Sequence, residues 1–192
     1  MDKLPQMEAV KVTCTSKDCD KDKHLYRPKR GQWTKPAVGV CQGCGDTSVD
    51  MSIPRARDLT NPGGIFAELG REFIRDHFLT KAIDKKARRI IRRDGIDAIR
   101  GTALGRLKSA IGREPNAWDG RQTPLNGNIL FYAQHATATC CRKCAWYWYG
   151  ISREGELADA DLEFCHGLIQ AYLDRREGEI RAIHGTPAED DG

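Results

Sequence analysis

Apolar side chains recur along the chain with a period near 3.6 in several stretches, and each predicts an amphipathic helix. Ile65, Phe66, Leu69, Phe73 and Ile74 form one stripe, and Ile83, Ala87, Ile90 and Ile91 form another. After an Asp94-Gly95 break the period resumes through Ile96, Ile99, Ala103, Leu107 and Ile111. Near the end, Leu162, Cys165, Ile169, Tyr172 and Leu173 share a helical face, with Asp159 the expected N-cap. Asn61 before Pro62 is a helix entry with proline in the first turn. Between the third and last stripes the period dissolves. Residues 115–128 are rich in turn formers, and the apolar run from Ile129 to Ala133 reads as a short strand or buried extended segment.

Residues 10–50 differ: Cys, Lys, Gly and Thr dominate, large aliphatics are scarce, and no hydrophobic core can form without a staple. The pattern predicts an α+β chain with a mainly α-helical domain at 65–184, a linker at 51–64, a zinc-ribbon β module at 10–50 and a disordered acidic tail at 185–192. A length of 192 residues suits one ordinary domain and a satellite. No apolar run approaches the length of a membrane span, and the start MDKLPQMEAV lacks the zones of a secretory signal. The expectation is a cytoplasmic protein without a membrane partner.

Eight cysteines sharpen this picture, because in reducing surroundings clustered thiols bind metal or do chemistry. Cys14 and Cys19 form one pair and Cys41 and Cys44 a second, with enough chain between them to fold back and bring four sulfurs together. That is the donor set of a structural zinc site, with His24 an alternative ligand. Gly43 and Gly45 suit the tight turn of the second pair. A further cluster, His135, Cys140, Cys141 and Cys144, holds a second two-residue gap of the chelating kind, and Cys165 and His166 on the last helix are additional candidate ligands. Arg142 and Lys143 lower thiol pKa values, which favours a second bound metal and equally a reactive nucleophile.

The net charge of +4 is mild, but its distribution is not. Lys81, Lys85, Lys86, Arg88, Arg89, Arg92 and Arg93 crowd one helical stretch, a density suited to phosphate, and Lys29 and Arg30 stand with other basic residues around Tyr26 and Trp33. Some enzyme classes are disfavoured. A zinc deaminase needs His-x-Glu well ahead of its Pro-Cys-x-x-Cys, whereas His135 is followed by Ala136 and Thr137 and the cysteines come too soon. No Gly-rich phosphate loop of nucleotide-binding type is present either.

The segments RRDGIDAIRGTALGRL, WDGRQTPLNGN and AQHATATCCRKC resemble the family known as domain of unknown function 4186, over about Ile83 to Leu173. The most specific parts are Gln122 to Pro124 and Gln134 to Cys144. The resemblance implies a compact, mostly helical domain in which these polar and thiol groups lie together, and it leaves the N-terminal cysteines outside as an added module. Asn128 and Tyr149 stand where histidines are common in the family pattern, which concentrates attention on His135 and the adjacent cysteines.

Taken together, these features predict a zinc protein acting on nucleic acid, DNA or RNA, most simply an enzyme of modification or processing by group transfer to a base or metal-assisted chemistry. His135 and Cys140 are its expected catalytic groups, with Asp119 and Gln122 on the polar loop, and any small-molecule cosubstrate is left open. The competing expectation is a non-catalytic zinc-stabilised adaptor that binds nucleic acid or an acidic protein. A redox or metal sensor using Cys140 and Cys141 ranks behind both, because adjacent cysteines form a strained disulfide.

Overall fold

Eight α-helices form among the residues that the computed structural model describes, 12–28, 33, 37–113 and 123–186: α1 (Ser52–Ala56), α2 (Pro62–Leu69), α3 (Phe73–Thr80), α4 (Lys85–Leu107), α5 (Ile129–Ala136), α6 (Arg142–Tyr149), α7 (Asp159–Arg175) and α8 (Glu177–His184). The long α4 packs against α5, α7 and α8, α3 lies along α5, and α1 bridges α2 and α6. No helix among the described residues is long and apolar enough to cross a membrane.

The expected stripes bury as their spacing dictates. Asn61 caps α2 by accepting from the Gly64 N–H at 3.1 Å, with Pro62 at the first helical position. The first stripe is split: α2 ends at Leu69 and α3 starts at Phe73, and the corner between them carries Glu72 into the interior. Ala158, not Asp159, stands at the N-cap of α7, which leaves Asp159 and Asp161 in the first turn to meet the helix dipole. The segment expected to be a linker contains α1, whose Pro54 is buried.

The second and third stripes are halves of α4, bent at Gly95, whose φ of +69° and ψ of 173° lie in a region open essentially to glycine alone. His184 fills the notch: its Nδ1–H donates to the carbonyls of Ile91 (3.1 Å) and Arg92 (3.0 Å), which the bend leaves without helical partners. A Cβ on Gly95 would sit 3.1 Å from the His184 ring. Gly95→Ala should therefore lower unfolding stability by on the order of 3 kcal/mol. Gly101→Ala, on an exposed helical turn with nothing within 4 Å of the new methyl, should raise it by roughly 0.5–1 kcal/mol. Urea melts of the two variants check this pair, and a Gly95→Ala curve superimposable on the parent's would discard it.

Two expected β features are corrected. Ile129–Ala136 is helix α5, started by the Asn128 side chain accepting from Leu130 N–H at 2.9 Å. Because α5 is buried on nearly every side, its sequence loses the polar positions that mark a helical period, and a short apolar run then looks like a strand. No β module forms among the described residues: the N-terminal segment shows only isolated bridges, Asp18 with Lys23 and His24 with Glu72. Its backbone bonds go to the helices instead. His24 N–H donates to Arg71 O (2.8 Å), Phe73 N–H donates to His24 O (2.9 Å), and Gly39 N–H reaches the Tyr147 hydroxyl (2.9 Å).

This docking places the N-terminal segment in the same core as the helices. Tyr26 is fully buried with its ring edge-on to Trp148, and Cys14, Cys41 and Val49 join the cluster of Ile65, Ile74 and Tyr147. The tail from 187 onward lies outside the described residues.

Candidate metal centres

The first centre gathers Cys19, His24, Cys41 and Cys44, whose ligand atoms all lie within 4.8 Å of one another. A 3-10 turn at Cys19–Lys21 presents the first sulfur, and the Cys41-Gln-Gly-Cys44 loop, turned by Gly45 at φ +81°, presents two more. Cys19 Sγ is 3.9 Å from Cys41 Sγ, and Cys44 Sγ is 3.5 Å from His24 Nδ1. The other imidazole nitrogen is held from behind, Nε2 lying 2.9 Å from Asp22 and 3.5 Å from Asp46. A carboxylate behind the ring fixes the tautomer that leaves Nδ1 as the metal-facing lone pair. Asp46 is itself anchored by Ser48 and by the Tyr26 hydroxyl at 2.8 Å.

Burial raises the Cys41 thiol, but N–H donors from Leu25, Cys44 and Gly43 outweigh it and bring the pKa down to about 6. Backbone amides aimed at a sulfur stabilise the thiolate that a metal requires. The expected set of Cys14, Cys19, Cys41 and Cys44 is thus changed in one member. His24 takes the fourth corner because its backbone is pinned to the α2–α3 corner, while Cys14 is directed elsewhere.

The second centre brings together Cys140, Cys141 and Cys144, again within 4.8 Å of one another. The chain from Gln134 to Cys144 folds as a tight corner: Thr137 Oγ1 donates to Ala133 O (2.7 Å), Thr139 N–H to Gln134 O (2.9 Å), and Ala138 adopts φ +54°. Thr123 Oγ1 donates to Cys140 O at 2.8 Å, and the Tyr149 hydroxyl donates to Thr137 O. Cys141 stands at the N-cap of α6 and Cys144 in its first turn, where the helix dipole favours thiolate.

Arg75 is the counter-ion. It is fully buried, and its guanidinium donates from Nη2 to Cys144 Sγ (3.0 Å), from Nη1 to His135 O (2.6 Å) and Cys140 Sγ (3.6 Å), and from Nε to buried Glu72 (3.0 Å). Hydrogen bonds from Cys141 and Cys144, reinforced by the Arg75 charge, hold Cys140 well below the usual thiol range. Neither Arg75 nor Glu72 was among the expected site residues. The available signal was an arginine inside the apolar stripe of Ile74 and Phe78, where only a partnered charge is tolerated.

The remaining expected residues scatter. His135 is fully buried and stacked on Phe78 with ring centroids 4.6 Å apart, but its nitrogens are outside the thiol group. Its Nε2 is 2.9 Å from Thr123 O, and since a carbonyl only accepts, Nε2 carries the proton and Nδ1 is a bare acceptor without a partner among the described residues. Burial, with Arg75 nearby, brings the His135 pKa down to about 4.

Cys165 is a core residue whose thiol burial pushes up to about 12, and His166 pairs with Gln170 at 2.8 Å. Both lie outside the clusters because α7 turns them toward its own packing partners. Lys29, Arg30, Asp119 and Gln122 fall outside the described residues. Tyr26, expected to stack on a base, is buried and unable to do so.

Both clusters can hold metal ions, and no disulfide joins the described cysteines. No solved structure matches the chain. The first centre precedes the segment shared with a known family and the second lies inside it: residues 63–174 match the domain of unknown function DUF4186, and the chain belongs to that family.

Proposed function

We propose that the protein is a zinc-stabilised nucleic-acid-binding protein, with zinc in both thiol-rich centres and the phosphate backbone held along α4. Zinc suits the donors, since thiolate and imidazole sets backed by carboxylates and guanidinium groups are its usual structural surroundings. Thiols in such number, none joined in a disulfide among the described residues, fit a reducing compartment.

The observation that carries the binding reading is the exposed face of the first half of α4, where Lys85, Lys86, Arg89 and Arg93 all reach solvent. Lys81 is excluded from this face because its ammonium is used by Leu125 O at 2.7 Å and packs over Phe78 and Tyr132. Half-exposed Trp33 and Trp146, 6.2 Å apart with Arg153 over the latter at 4.4 Å, add a surface on which an unpaired base can stack.

Binding to single- and double-stranded oligonucleotides, titrated with salt, tests the proposal. The Lys85→Gln/Lys86→Gln/Arg89→Gln variant should bind more weakly, and its log–log salt slope should shrink by roughly 0.9 for each phosphate no longer neutralised, about 2–3 in all. An affinity indifferent to salt in the parent would refute it.

The enzymatic alternative rests on His135, whose neutral, unpartnered Nδ1 has the form of a general base beside the thiols. Its burial makes binding the better-supported reading. Mass spectrometry of cellular nucleosides with and without the protein separates the two: an altered base would favour catalysis, and an unchanged profile would remove it.

A further inference from the structure

Three thiols do not close a zinc site. A closed centre takes four donors, and the corner between α5 and α6 supplies only Cys140, Cys141 and Cys144 to the group within 4.8 Å. The fourth must come from a neighbouring element, and Cys14 and His135 are the groups at hand.

His135 is poorly placed to supply it. Its ring is clamped flat on Phe78, its Nε2 is tied to Thr123 O, and its backbone lies near the C-terminal end of α5, so bringing Nδ1 to the sulfurs would disturb three elements at once. Cys14 is set differently. It occupies a short turn in which Ser16 N–H donates to Thr13 O (3.1 Å) and Thr13 N–H to Ser16 Oγ (2.9 Å), a loop that can adjust without moving a helix.

Its side chain is buried and joins the core shared with Cys140 and Cys144. The charges around it are those of the second centre: Cys140, Cys144, Arg75 and Arg27 all act on the Cys14 thiol, whereas no sulfur of the first centre is prominent there. Arg27 in turn faces Cys144, Cys14 and Cys141. One pair of guanidinium groups thus serves all four sulfurs.

We infer that Cys14 is the fourth thiolate of the second metal centre, so that the N-terminal segment, outside the family match at 63–174, completes the site at the cysteine cluster inside it. The inference rests on the reading that Cys140, Cys141 and Cys144 hold a metal. It also explains why the first centre recruits an imidazole: the thiol that sequence spacing offered to it is engaged by the other.

Cobalt(II) titration of the full-length apoprotein tests this, because thiolate-to-cobalt absorption scales with the number of sulfur ligands. The parent should take up two equivalents with intensity for seven thiolates: Cys19, Cys41 and Cys44 at one centre, and Cys14, Cys140, Cys141 and Cys144 at the other. An intensity for six would overturn the assignment without recourse to any variant.

Cys14→Ser should keep the first equivalent and weaken the second by more than about a hundredfold, beyond the effect of losing an outer-shell partner. Two equivalents with an unchanged spectrum in Cys14→Ser would overturn it. So would a His135→Gln variant that loses the second equivalent while Cys14→Ser keeps it. Cys144→Ser distinguishes failure of the underlying reading: if the parent binds a single equivalent that Cys144→Ser retains, there is no second centre for Cys14 to complete.

Discussion

Replacing Arg75 with methionine should destabilise the protein by about 3–5 kcal/mol, among the largest effects expected of a single substitution. The guanidinium is fully buried and reaches Glu72, the His135 carbonyl, Cys140 and Cys144 together. Removing it strands the Glu72 carboxylate, which also accepts from the Arg27 N–H at 3.0 Å, and leaves the thiolates without their nearest positive charge. Lysine should rescue little, because a single ammonium cannot span acceptors on both sides of a planar fork. Adding Glu72→Gln to Arg75→Met should recover part of the loss, since deleting both members of a buried pair costs less than deleting one. Urea denaturation of the two variants and the double variant measures this, and an Arg75→Met midpoint equal to the parent's would show that Arg75 is not the counter-ion.

The second large effect is expected from Cys41→Ser. Cys41 is the buried sulfur of the first centre and receives N–H bonds from Leu25 (3.5 Å) and Gly43 (3.3 Å), so its loss removes both a ligand and the organising point of the loop. Structural zinc contributes on the order of 10 kcal/mol to small modules that lack a core of their own. The variant should lose one equivalent of metal and with it the fixed conformation of the segment around residues 12–50. The helices should persist in far-UV circular dichroism, while the near-UV signal of Trp148 changes as the edge of Tyr26 withdraws from it. Retention of both equivalents by Cys41→Ser would contradict the first centre as described.

The sequence carried the long helices well, because α4 and α7 each present one buried face to the core and one to water, which writes the period into the chain. Short buried α5 shows the limit of that rule, since without a solvent face there is no alternation to read. The cysteine clusters were equally legible as groups, because ligands from one turn must be close in sequence. Their membership was not. Whether Cys14 or His24 closes the first site depends on how the segment docks against the α2–α3 corner, where the Arg71 carbonyl and Phe73 amide fix His24. Arg75 and Glu72 were missed for the same reason: three residues apart on a short helix they look like an ordinary surface pair, and only the tertiary fold sinks both.

The burial of Tyr26 against Trp148, together with the Gly39 amide on the Tyr147 hydroxyl, separates two kinds of unit that are often treated as one. The stretch recognisable by homology begins at residue 63, but the cooperative unit that melts together reaches back at least to Cys14 and forward to Ile183. An excised 63–174 fragment would expose the aromatic face of α6 and uncover the bend at Gly95 that His184 now fills. The evolutionary module and the thermodynamic one have different edges here, and it is the second that sets where the chain can be cut.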